Sequence, residues 1–257
     1  MPPAIRIASL NLLHGIDLRS GAIDLDQAAE AAAALGADVL AVQEADRAQE
    51  RSGGRHQVAA LAARLGADWR FAPALLGDPG RSWTALPEED PGGPAYGVGV
   101  ISRLPITAAH RLVLPGGGDG HRAPGATPAN PGYDREPRVG LRVAVSVEGR
   151  ALALTTAHLS YLPWRGIAQL RSVTRQAAHG ASAAVLIGDL NLPRWLARLT
   201  TRRWTNPKAP PTYPSWRPRV QPDQVLARGA ATVEAIETPA RTTSDHLPLV
   251  ATVRLTA

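Results

Sequence analysis

The feature that most constrains this chain is a set of apolar, β-type runs that each end on an amide, an acid or a histidine. The runs finish in the segments SLN, AVQE, TTAH, GDLN and SDH. The polar residues at these ends are Asn11, Glu44, His158, Asp189, Asn191, Asp245 and His246. A polar or charged side chain beside buried apolar residues is unfavourable unless it has a partner. Because all of them stand at the end of a β run, the pattern predicts that they share one location.

Each of these residues also has an ordinary structural interpretation when taken alone. Asn11 suits a turn, Glu44 suits a helix cap, and His158 suits a hydrogen-bonded histidine of the core.

The chain contains no cysteine, which excludes disulfides, thiolate catalysis and cysteine-ligated zinc. It also has no glycine-rich phosphate loop. Amide and carboxylate oxygens suit Mg²⁺ or Mn²⁺, and a nearby imidazole or aspartate can contact phosphate or align water.

Strand-like and helix-like segments are interspersed, and several strands are joined by short turns. DLDQAAEAAAALGAD predicts a helix that begins at Asp24 or Asp26 and ends at Gly36. RHQVAALAARLG predicts a second helix that ends at Gly66. The short turns favour a mixed sheet over a purely parallel one. No change in composition divides the chain, so we expect a single domain over residues 1–257.

Two long stretches rich in glycine and proline, residues 77–95 and 115–137, show no hydrophobic period. Loops of this length are either mobile or functional, and two of them suggest a rim around a site. The first residues, MPPAIRIASLNLLHG, lead directly into a strand and show no secretory signal. No uncharged apolar run approaches the length of a bilayer span. We therefore expect a cytoplasmic protein without a transmembrane segment, acting as a monomer.

The positive charge is concentrated in one part of the sequence. The net charge is +6, and eleven basic residues lie between Trp164 and Arg228 against only Asp189 and Asp223. Such a segment favours an anionic partner. Four aromatic residues are interleaved with it: Trp195, Trp204, Tyr213 and Trp216. They can stack on bases beside a phosphate backbone; alternatively, the tryptophans belong to the core and the arginines reflect a general bias in composition.

Eight blocks, in this order, resemble the endonuclease/exonuclease/phosphatase superfamily, which includes deoxyribonuclease I, apurinic-site endonucleases, sphingomyelinases and inositol-polyphosphate 5-phosphatases. The blocks are SLNLLHG, VLAVQE, YGVGVISRLPI, EPRVGL, TTAHLS, LIGDLNLP, PTYPSWRPRVQPDQVLA and SDHLPLVATV. The resemblance implies an α/β fold, a four-layer sandwich with two mixed β-sheets face to face and helices outside. It also implies a phosphodiesterase that depends on Mg²⁺ or Mn²⁺ and uses an activated water, with nucleic acid as the favoured anionic substrate.

The resemblance further implies which residues bind the metal and the phosphate. Glu44 is expected as the principal metal ligand, with Asn11 nearby and Asp245 completing or supporting the site. His158 stands where relatives carry a histidine or tyrosine that contacts phosphate. Arg138, in EPRVGL, matches a basic residue at the phosphate.

Two further pairs of residues match the catalytic positions of the superfamily. Asp189 is expected to orient and activate the attacking water, and Asn191 to hold the phosphate and the water. His246 is expected to contact the scissile phosphate, with Asp223 fixing its tautomer and charge. A carboxylate partner raises the pKa of an imidazole and favours the protonated form that suits a phosphate oxygen.

The motif SDH at residues 244–246 cannot be a serine-type triad. Neighbouring residues of a strand point to opposite faces, so Ser244 and Asp245 cannot lie on the two sides of one imidazole. Ser244 is expected to cap a turn, while Asp245 and His246 serve a metal and phosphate site from the loop that enters the last strand.

The substrate class stays open between several phosphoesters. A phospholipid or sphingomyelin hydrolase needs an exposed apolar tip, and GRSWTALPEED offers Trp83 and Leu86 followed by three acids. An inositol-phosphate hydrolase needs a dense basic pocket, whereas HRAPGATPANPGYDREPR is modestly basic. A non-catalytic scaffold has no need for the complete set of site residues. Nucleic acid is therefore the leading substrate, with lipid or small phosphoesters as the alternative.

Overall fold

The structure is a computed structural model that describes residues 2–121 and 134–256. Within these residues the chain forms two β-sheets. The larger sheet contains β1 (Ala4–Asn11), β2 (Val39–Arg47), β3 (Asp68–Asp78), β4 (Ser82–Ala85), β5 (Ala95–Ser102), β7 (Gly120–His121), β12 (Ala231–Glu237) and β13 (Leu249–Leu255). The smaller sheet contains β6 (Ile106–Val113), β8 (Val139–Val147), β9 (Arg150–His158), β10 (Ala183–Asp189) and β11 (Asp223–Gly229).

Both sheets are mixed, as the sequence predicts. The strand order is β12-β13-β1-β2-β5-β3-β4-β7 in the larger sheet and β11-β10-β9-β8-β6 in the smaller one. β1 is parallel to β2, and β9 is parallel to β10, while the other pairs are antiparallel. In the smaller sheet Asp189 pairs in register with His158 on one side and with Asp223 on the other. The parallel pairs thus bring strand ends to one edge of each sheet.

Four helices complete the layers. α1 (Leu25–Ala34) and α2 (Gln57–Leu65) bury Leu25, Val58 and Leu61 against the outer face of the larger sheet. α3 (Pro163–Ala177) and α4 (Arg194–Thr200) bury Leu170 and Ala197, among others, against the smaller sheet. A core rich in valine, alanine and leucine fills the space between the sheets. This arrangement confirms the predicted four-layer α/β sandwich.

The ends of α1 and α2 follow the predicted capping signals. Asp24 accepts a hydrogen bond from the backbone N–H of Gln27 at 2.9 Å, which satisfies one free donor of the first turn of α1. Gly36 and Gly66 follow the two helices with φ of 59° and 61°, a left-handed conformation that glycine adopts without strain. None of the helices in the described ranges is long and apolar enough to cross a bilayer.

Some elements differ from the sequence-based expectation. The stretch 77–95 contains β4, which pairs with β3, and β7 lies inside the stretch 115–137; residues 122–133 of that stretch lie outside the described residues. The edge strand β12 was not expected, because most of its residues are at least partly exposed and it lacks a strong apolar run. α4 ends at Thr200, and the hydroxyl of Thr201 donates to the carbonyl of Ala197 at 2.8 Å.

Candidate active site

Asn11 joins carboxylates that come from the two different sheets. Its Nδ2 donates to Oε1 of Glu44 at 3.0 Å and to Oδ2 of Asp189 at 3.3 Å. Its Oδ1 accepts from the backbone N–H of Leu13 at 3.0 Å, which fixes the orientation of the amide. Because Asn11 ends β1 and Asp189 ends β10, the site lies where the edges of the two sheets meet.

Glu44 reaches this position through an irregularity in β2. The pairing of β2 with β5 shifts register between Val42 and Ala45, and Glu44 has a φ of 54°. A left-handed residue inside a strand is strained for any amino acid except glycine, so surrounding contacts must hold it. Burial raises the pKa of Glu44, the hydrogen bond from Asn11 opposes this, and the charge of Asp245 adds to the rise. The carboxylate therefore carries more negative charge than its protein partners compensate.

His158 lies between the two carboxylates as a neutral imidazole. Its Nε2 is 3.6 Å from Oδ2 of Asp189, and its Nδ1 is 4.0 Å from Oε1 of Glu44. Burial lowers the pKa of His158 well below its usual value, and the charges of Arg138 and His246 lower it further. Nδ1 is buried and has no hydrogen-bond partner among the described residues. One ring nitrogen is thus left without a partner beside Glu44.

Asp189 is held by the residue that follows it in GDLN. The backbone N–H of Asn191 donates to Oδ1 of Asp189 at 3.1 Å, and Nδ2 of Asn191 donates to the carbonyl of Leu159 at 3.1 Å. Asn191 has a φ of 50°, which turns the chain sharply after β10. Burial raises the pKa of Asp189, His246 opposes this rise, and the carboxylates of Asp223 and Glu44 reinforce it. Asp189 is therefore a better proton acceptor than an exposed aspartate when it is ionised.

His246 forms a buried pair with Asp223. Its Nδ1 is 2.8 Å from Oδ2 of Asp223, and its Nε2 is 3.8 Å from Oδ2 of Asp189. Burial lowers the pKa of His246, but Asp223, with its hydrogen bond, together with Asp189 and Asp245 outweighs burial and raises the pKa to about 10. The hydroxyl of Thr212 donates to the same oxygen of Asp223. At neutral pH the ring is an imidazolium that presents Nε2–H to the site.

The SDH segment forms the turn that the sequence predicts. Oγ of Ser244 donates to Oδ1 of Asp245 at 3.1 Å and accepts from the backbone N–H of His246 at 3.3 Å. The backbone N–H of Ser215 donates to the carbonyl of Asp245 at 2.7 Å, which ties this turn to the proline-rich loop. Ser244 therefore caps the turn, and Asp245 and His246 both reach one cleft.

Arg138 supplies a fixed positive charge to the cleft. Its Nη2 lies 3.2 Å from Oδ1 of Asp134 and 3.3 Å from Oε2 of Glu136. Burial lowers the pKa of Arg138, but the two carboxylates outweigh burial and raise it, so the guanidinium stays charged.

The cleft at this sheet edge has a volume of about 490 Å³. Seven of the nine residues expected from the sequence line it: Glu44, Arg138, His158, Asp189, Asn191, Asp245 and His246. The other two, Asn11 and Asp223, are buried and touch lining residues from behind. The structure therefore brings all nine together.

Several lining residues were not assigned to this site from the sequence: His14, Arg51, Tyr96, Tyr161 and Tyr213. His14 stands inside the block SLNLLHG and has a φ of 42°, so its position after a polar strand end was a usable signal. Tyr213 packs its ring 4.9 Å from the ring of His246. The sequence identified Tyr213 only as an aromatic residue interleaved with the basic segment, because nothing in its proline-rich surroundings indicates a contact with His246.

A second pocket of about 500 Å³ adjoins the cleft and shares Asn191, Tyr213 and His246 with it. The remainder of its lining is mainly apolar and comes from Leu192–Pro193 and from Val220 and Pro222. A substrate bound at His246 therefore has room for an attached apolar or aromatic group.

The chemistry of the donor set fits a metal ion. The buried group Asp189, Asp223 and His246 offers ligand atoms that lie within 4.8 Å of one another, a spacing that could hold an ion. Glu44, with its uncompensated charge, stands on the other side of Asp189. Carboxylate and amide oxygens of this kind match the preference of Mg²⁺ and Mn²⁺.

A sandwich that gathers acids, amides and imidazoles at one sheet edge defines a class of phosphoester hydrolases. The chain belongs to the Endonuclease/Exonuclease/phosphatase family, whose sequence pattern matches residues 8–246. Members of this family are hydrolases that act on phosphoester bonds. The resemblance seen in the eight sequence blocks is thereby confirmed.

Solved structures share the fold. An endonuclease/exonuclease/phosphatase from Beutenbergia cavernae is 24% identical with a TM-score of 0.74, over 99% of this chain and 72% of that chain. Danio rerio TDP2 complexed with a single-strand DNA product is 17% identical with a TM-score of 0.64, over 98% and 99% of the two chains. A mannosyl-6-phosphatase from Bacteroides thetaiotaomicron is 14% identical with a TM-score of 0.67, over 97% and 99%. No curated protein matches this chain significantly.

Proposed function

We propose that this protein is a divalent-metal-dependent phosphodiesterase that hydrolyses nucleic acid by attack of a water molecule. The observation that carries the proposal is the environment of Asp189. Its Oδ2 has an amide nitrogen of Asn11 at 3.3 Å, Nε2 of His158 at 3.6 Å and Nε2 of His246 at 3.8 Å. Asp189 is thus a buried acid beside the cationic imidazole of His246 and the neutral imidazole of His158, in an open cleft. In this arrangement the acid can act as the base while the imidazoles contact the phosphate.

The residues that would hold the metal are Glu44 and Asp245. Asn11, the third candidate, presents Nδ2 to Glu44 while its Oδ1 accepts from Leu13, so it would orient the Glu44 carboxylate and would become a ligand only if its amide turned over. The pKa of Glu44 is raised by burial and by Asp245, which is the state of a carboxylate that awaits a cation. The alternative set around His246 fits less well, because Nδ1 of His246 is engaged by Asp223 and the ring is protonated at neutral pH. When bound, Mg²⁺ or Mn²⁺ would offset the charge that develops on the phosphate.

Asp189 orients the attacking water and accepts its proton. The N–H of Asn191 holds one carboxylate oxygen and Asn11 holds the other, so the acid cannot rotate away from the cleft. Its raised pKa brings it nearer to the range in which a general base both accepts a proton and is mainly ionised at neutral pH.

His246, His158 and Arg138 contact the phosphate. The imidazolium of His246 donates Nε2–H to a phosphate oxygen, while Asp223 keeps the ring charged. His158 contributes its imidazole, which lines the cleft, and Arg138 contributes permanent positive charge. Charge-assisted donors fixed in place before the reaction stabilise a transition state more than donors that must reorient.

Nucleic acid is supported as the substrate by the surface next to the cleft. Most of the basic side chains between residues 164 and 228 have no partner in the described part of the chain. Trp195 and Trp216 are 64% and 71% exposed, and an exposed aromatic ring can stack on a base. One structural neighbour, TDP2, has been solved with a single-strand DNA product.

A phosphoester with an apolar substituent, such as a phospholipid, is the second candidate. The observation in its favour is the mainly apolar pocket of about 500 Å³ beside His246. A small phosphomonoester, of the kind named for the mannosyl-6-phosphatase neighbour, would leave this pocket unused.

The test is a substrate panel with the purified protein. Plasmid DNA, single-stranded DNA, RNA, an abasic duplex, sphingomyelin, inositol phosphates and bis-p-nitrophenyl phosphate are incubated with Mg²⁺, Mn²⁺ or EDTA. Metal-dependent cleavage of nucleic acid that is lost in Asp189→Asn and His246→Ala supports the proposal. Activity that survives both EDTA and the substitutions contradicts the mechanism, and turnover of lipid without cleavage of nucleic acid contradicts the substrate.

A further inference from the structure

The arginines of segment 164–228 are unpaired to an extent that the rest of the chain does not show. Of its eleven basic side chains, only Arg165 contacts a carboxylate, and only Arg165 and Arg194 contact a carbonyl oxygen, among the described residues. Outside the segment, only Arg55 and Arg135 among the described arginines lack a side-chain partner. A general bias in composition would spread unpaired arginines along the chain. Their concentration in one segment therefore needs a local explanation.

Part of this charge converges on a pocket remote from the cleft. The pocket has a volume of about 440 Å³, and its cationic lining consists of Arg175, Arg202, Arg203 and Arg228. No carboxylate belongs to the described residues that line it. Trp204, which is 8% exposed, and the buried Thr201 form the packed part of its lining. We call this the distal basic pocket. Closely spaced like charges around a concavity repel one another unless an anion binds among them.

The distal basic pocket lies at the far end of the strand that begins in the active site. β11 starts at Asp223, the partner of His246, and Arg228 is five residues further along it. Five residues of a strand span about 17 Å. At the rise of about 3.4 Å per nucleotide that a strand has when its bases are stacked as in a duplex, that distance corresponds to about five nucleotides, and an extended strand covers it with fewer.

The surface of α4 connects the two places. Arg194, at its start, lines the apolar pocket beside His246, and Leu199, at its end, lines the distal basic pocket. Trp195, Arg198 and Leu199 have the spacing i, i+3 and i+4 of one helix face, and all three are exposed. The helix spans about 10 Å. A continuous exposed face with apolar and cationic side chains thus runs from the cleft to the distal basic pocket.

We propose that the distal basic pocket binds a backbone phosphate of a single-stranded nucleic acid whose scissile phosphate occupies the catalytic cleft. This inference rests on the proposed function, since it takes the substrate to be nucleic acid. A single strand crosses the face of α4, stacks a base on Trp195 and places a phosphate among Arg202, Arg203 and Arg228. Aromatic platforms next to cationic contacts are the usual surface for single strands.

An anionic membrane fits this surface less well than a nucleic acid does. Membrane-binding segments present a contiguous apolar face that enters the bilayer, whereas Arg198 lies beside Trp195 and Leu199 on the same helix face. The cationic groups also line a concavity rather than surround an apolar tip. A phosphate at the end of a strand can enter such a concavity, but a flat layer of lipid head groups contacts only its rim.

The test measures binding in the Asp189→Asn background, so that no turnover occurs. Fluorescein-labelled oligothymidylates of three and twelve nucleotides are titrated by fluorescence anisotropy over a range of salt concentrations. The test variant is Arg202→Ala/Arg203→Ala. The matched control is Arg64→Ala/Arg241→Ala, which removes the same charge from exposed ion pairs of Arg64 with Asp26 and of Arg241 with Glu30.

We expect the test variant to bind the twelve-nucleotide probe at least about tenfold more weakly, while the trinucleotide, which is too short to reach, changes less than about twofold. The slope of log Kd against log salt should decrease by about 1.4, because each phosphate contact of a single strand contributes about 0.7. The control should resemble the parent. Arg202→Glu/Arg203→Glu should weaken binding further, and a circular dichroism spectrum like that of the parent confirms that each variant is folded.

Equal loss in the test variant and the control, or an unchanged salt slope, overturns the inference. The inference is also overturned if the test variant no longer binds phosphatidylserine vesicles but still binds the oligonucleotide, since the partner is then a membrane. Failure of the proposed function is recognised separately. If the test variant shows the length-dependent binding defect but the wild type hydrolyses no phosphoester, the nucleic-acid-binding surface is retained and the proposed nuclease activity is contradicted. If the wild type cleaves DNA with a metal but the test variant shows no binding defect, the nuclease activity is retained and the role of the distal basic pocket is contradicted.

Discussion

Nδ1 of His246 lies 2.8 Å from Oδ2 of Asp223, and the same oxygen accepts the hydroxyl hydrogen of Thr212. The contact joins the turn before the last strand to the first residue of β11. Because Asp223 is buried and held from two sides, the charge of His246 is set by the fold. The proton on Nε2 is thus in place before a phosphate arrives.

The first prediction concerns the titration of His246 in the metal-free protein. Its folded pKa is about 10, above the ordinary value of 6.5, so its protonation stabilises the fold fully below about pH 6.5 and this contribution is lost as the pH rises through about 10. Replacing Asp223 with Asn removes the main cause of the raised pKa. We expect the midpoint of the His246 imidazole in a ¹H–¹⁵N NMR titration to fall toward the ordinary value in Asp223→Asn. An unchanged midpoint would show that Asp223 does not control the charge.

The second prediction concerns Thr212 as a positioning residue. Replacing Thr212 with Val keeps the shape but removes one hydrogen bond to a charged group, worth about 1.5 kcal/mol or more. We expect kcat to fall about tenfold with a small change in KM, together with a changed pH profile. Thr212→Ser should restore the rate, because the hydroxyl rather than the methyl group is required. A purely packing role would give the opposite ranking of the two variants.

The third prediction concerns Glu44 and the metal. A ligand that binds only the folded state raises its stability by about 2.7 kcal/mol at one hundred times its Kd. We expect Mn²⁺ to raise the thermal midpoint of the wild type but not that of Glu44→Gln. Without metal, Glu44→Gln should be at least as stable as the wild type above neutral pH, because it removes a buried charge that lacks compensation. Glu50→Gln, an exposed change, is the control, and an equal response of all three proteins to Mn²⁺ would remove Glu44 from the metal site.

The fourth prediction concerns the glycine of GDLN. Gly188 has a φ of 157°, and a Cβ built there would lie 2.3 Å from the carbonyl oxygen of Ala157 on β9. Gly188→Ala must separate β9 from β10 next to Asp189. We expect a loss of about 2 kcal/mol or more in the free energy of unfolding by urea. Gly118→Ala is the control, since its Cβ meets nothing within 4 Å and its φ is not positive. Equal stability of the two variants would refute the steric account.

The strand ends were predictable because their signal is local. An apolar run that stops on a polar residue identifies Asn11 or Asp189 without knowledge of any distant contact. The meeting of these ends also follows, since parallel strands such as β9 and β10 end at the same edge. The bounds of helix α1 were predictable for the same reason, because Asp24 and Gly36 lie next to the helix that they delimit.

Other features depend on packing between distant segments and left no local signal. Glu44 approaches Asn11 through a shift of register against β5, which no pattern within β2 shows. Thr212 meets Asp223 from a proline-rich loop without periodicity. For the same reason the sequence could not show which aromatic residues of the basic segment are buried and which are exposed. Trp204 is buried against residues of α3 and β11, whereas Trp195 is 64% exposed.

The central claim is tested most directly by kcat for bis-p-nitrophenyl phosphate with the wild type and Asp189→Asn, each with Mn²⁺ and with EDTA. The account predicts turnover by the wild type only with the metal, and a loss of about 10³-fold in Asp189→Asn, the size expected for a general base. Turnover that is unaffected by EDTA, or an Asp189→Asn rate within about tenfold of the wild type, would contradict it.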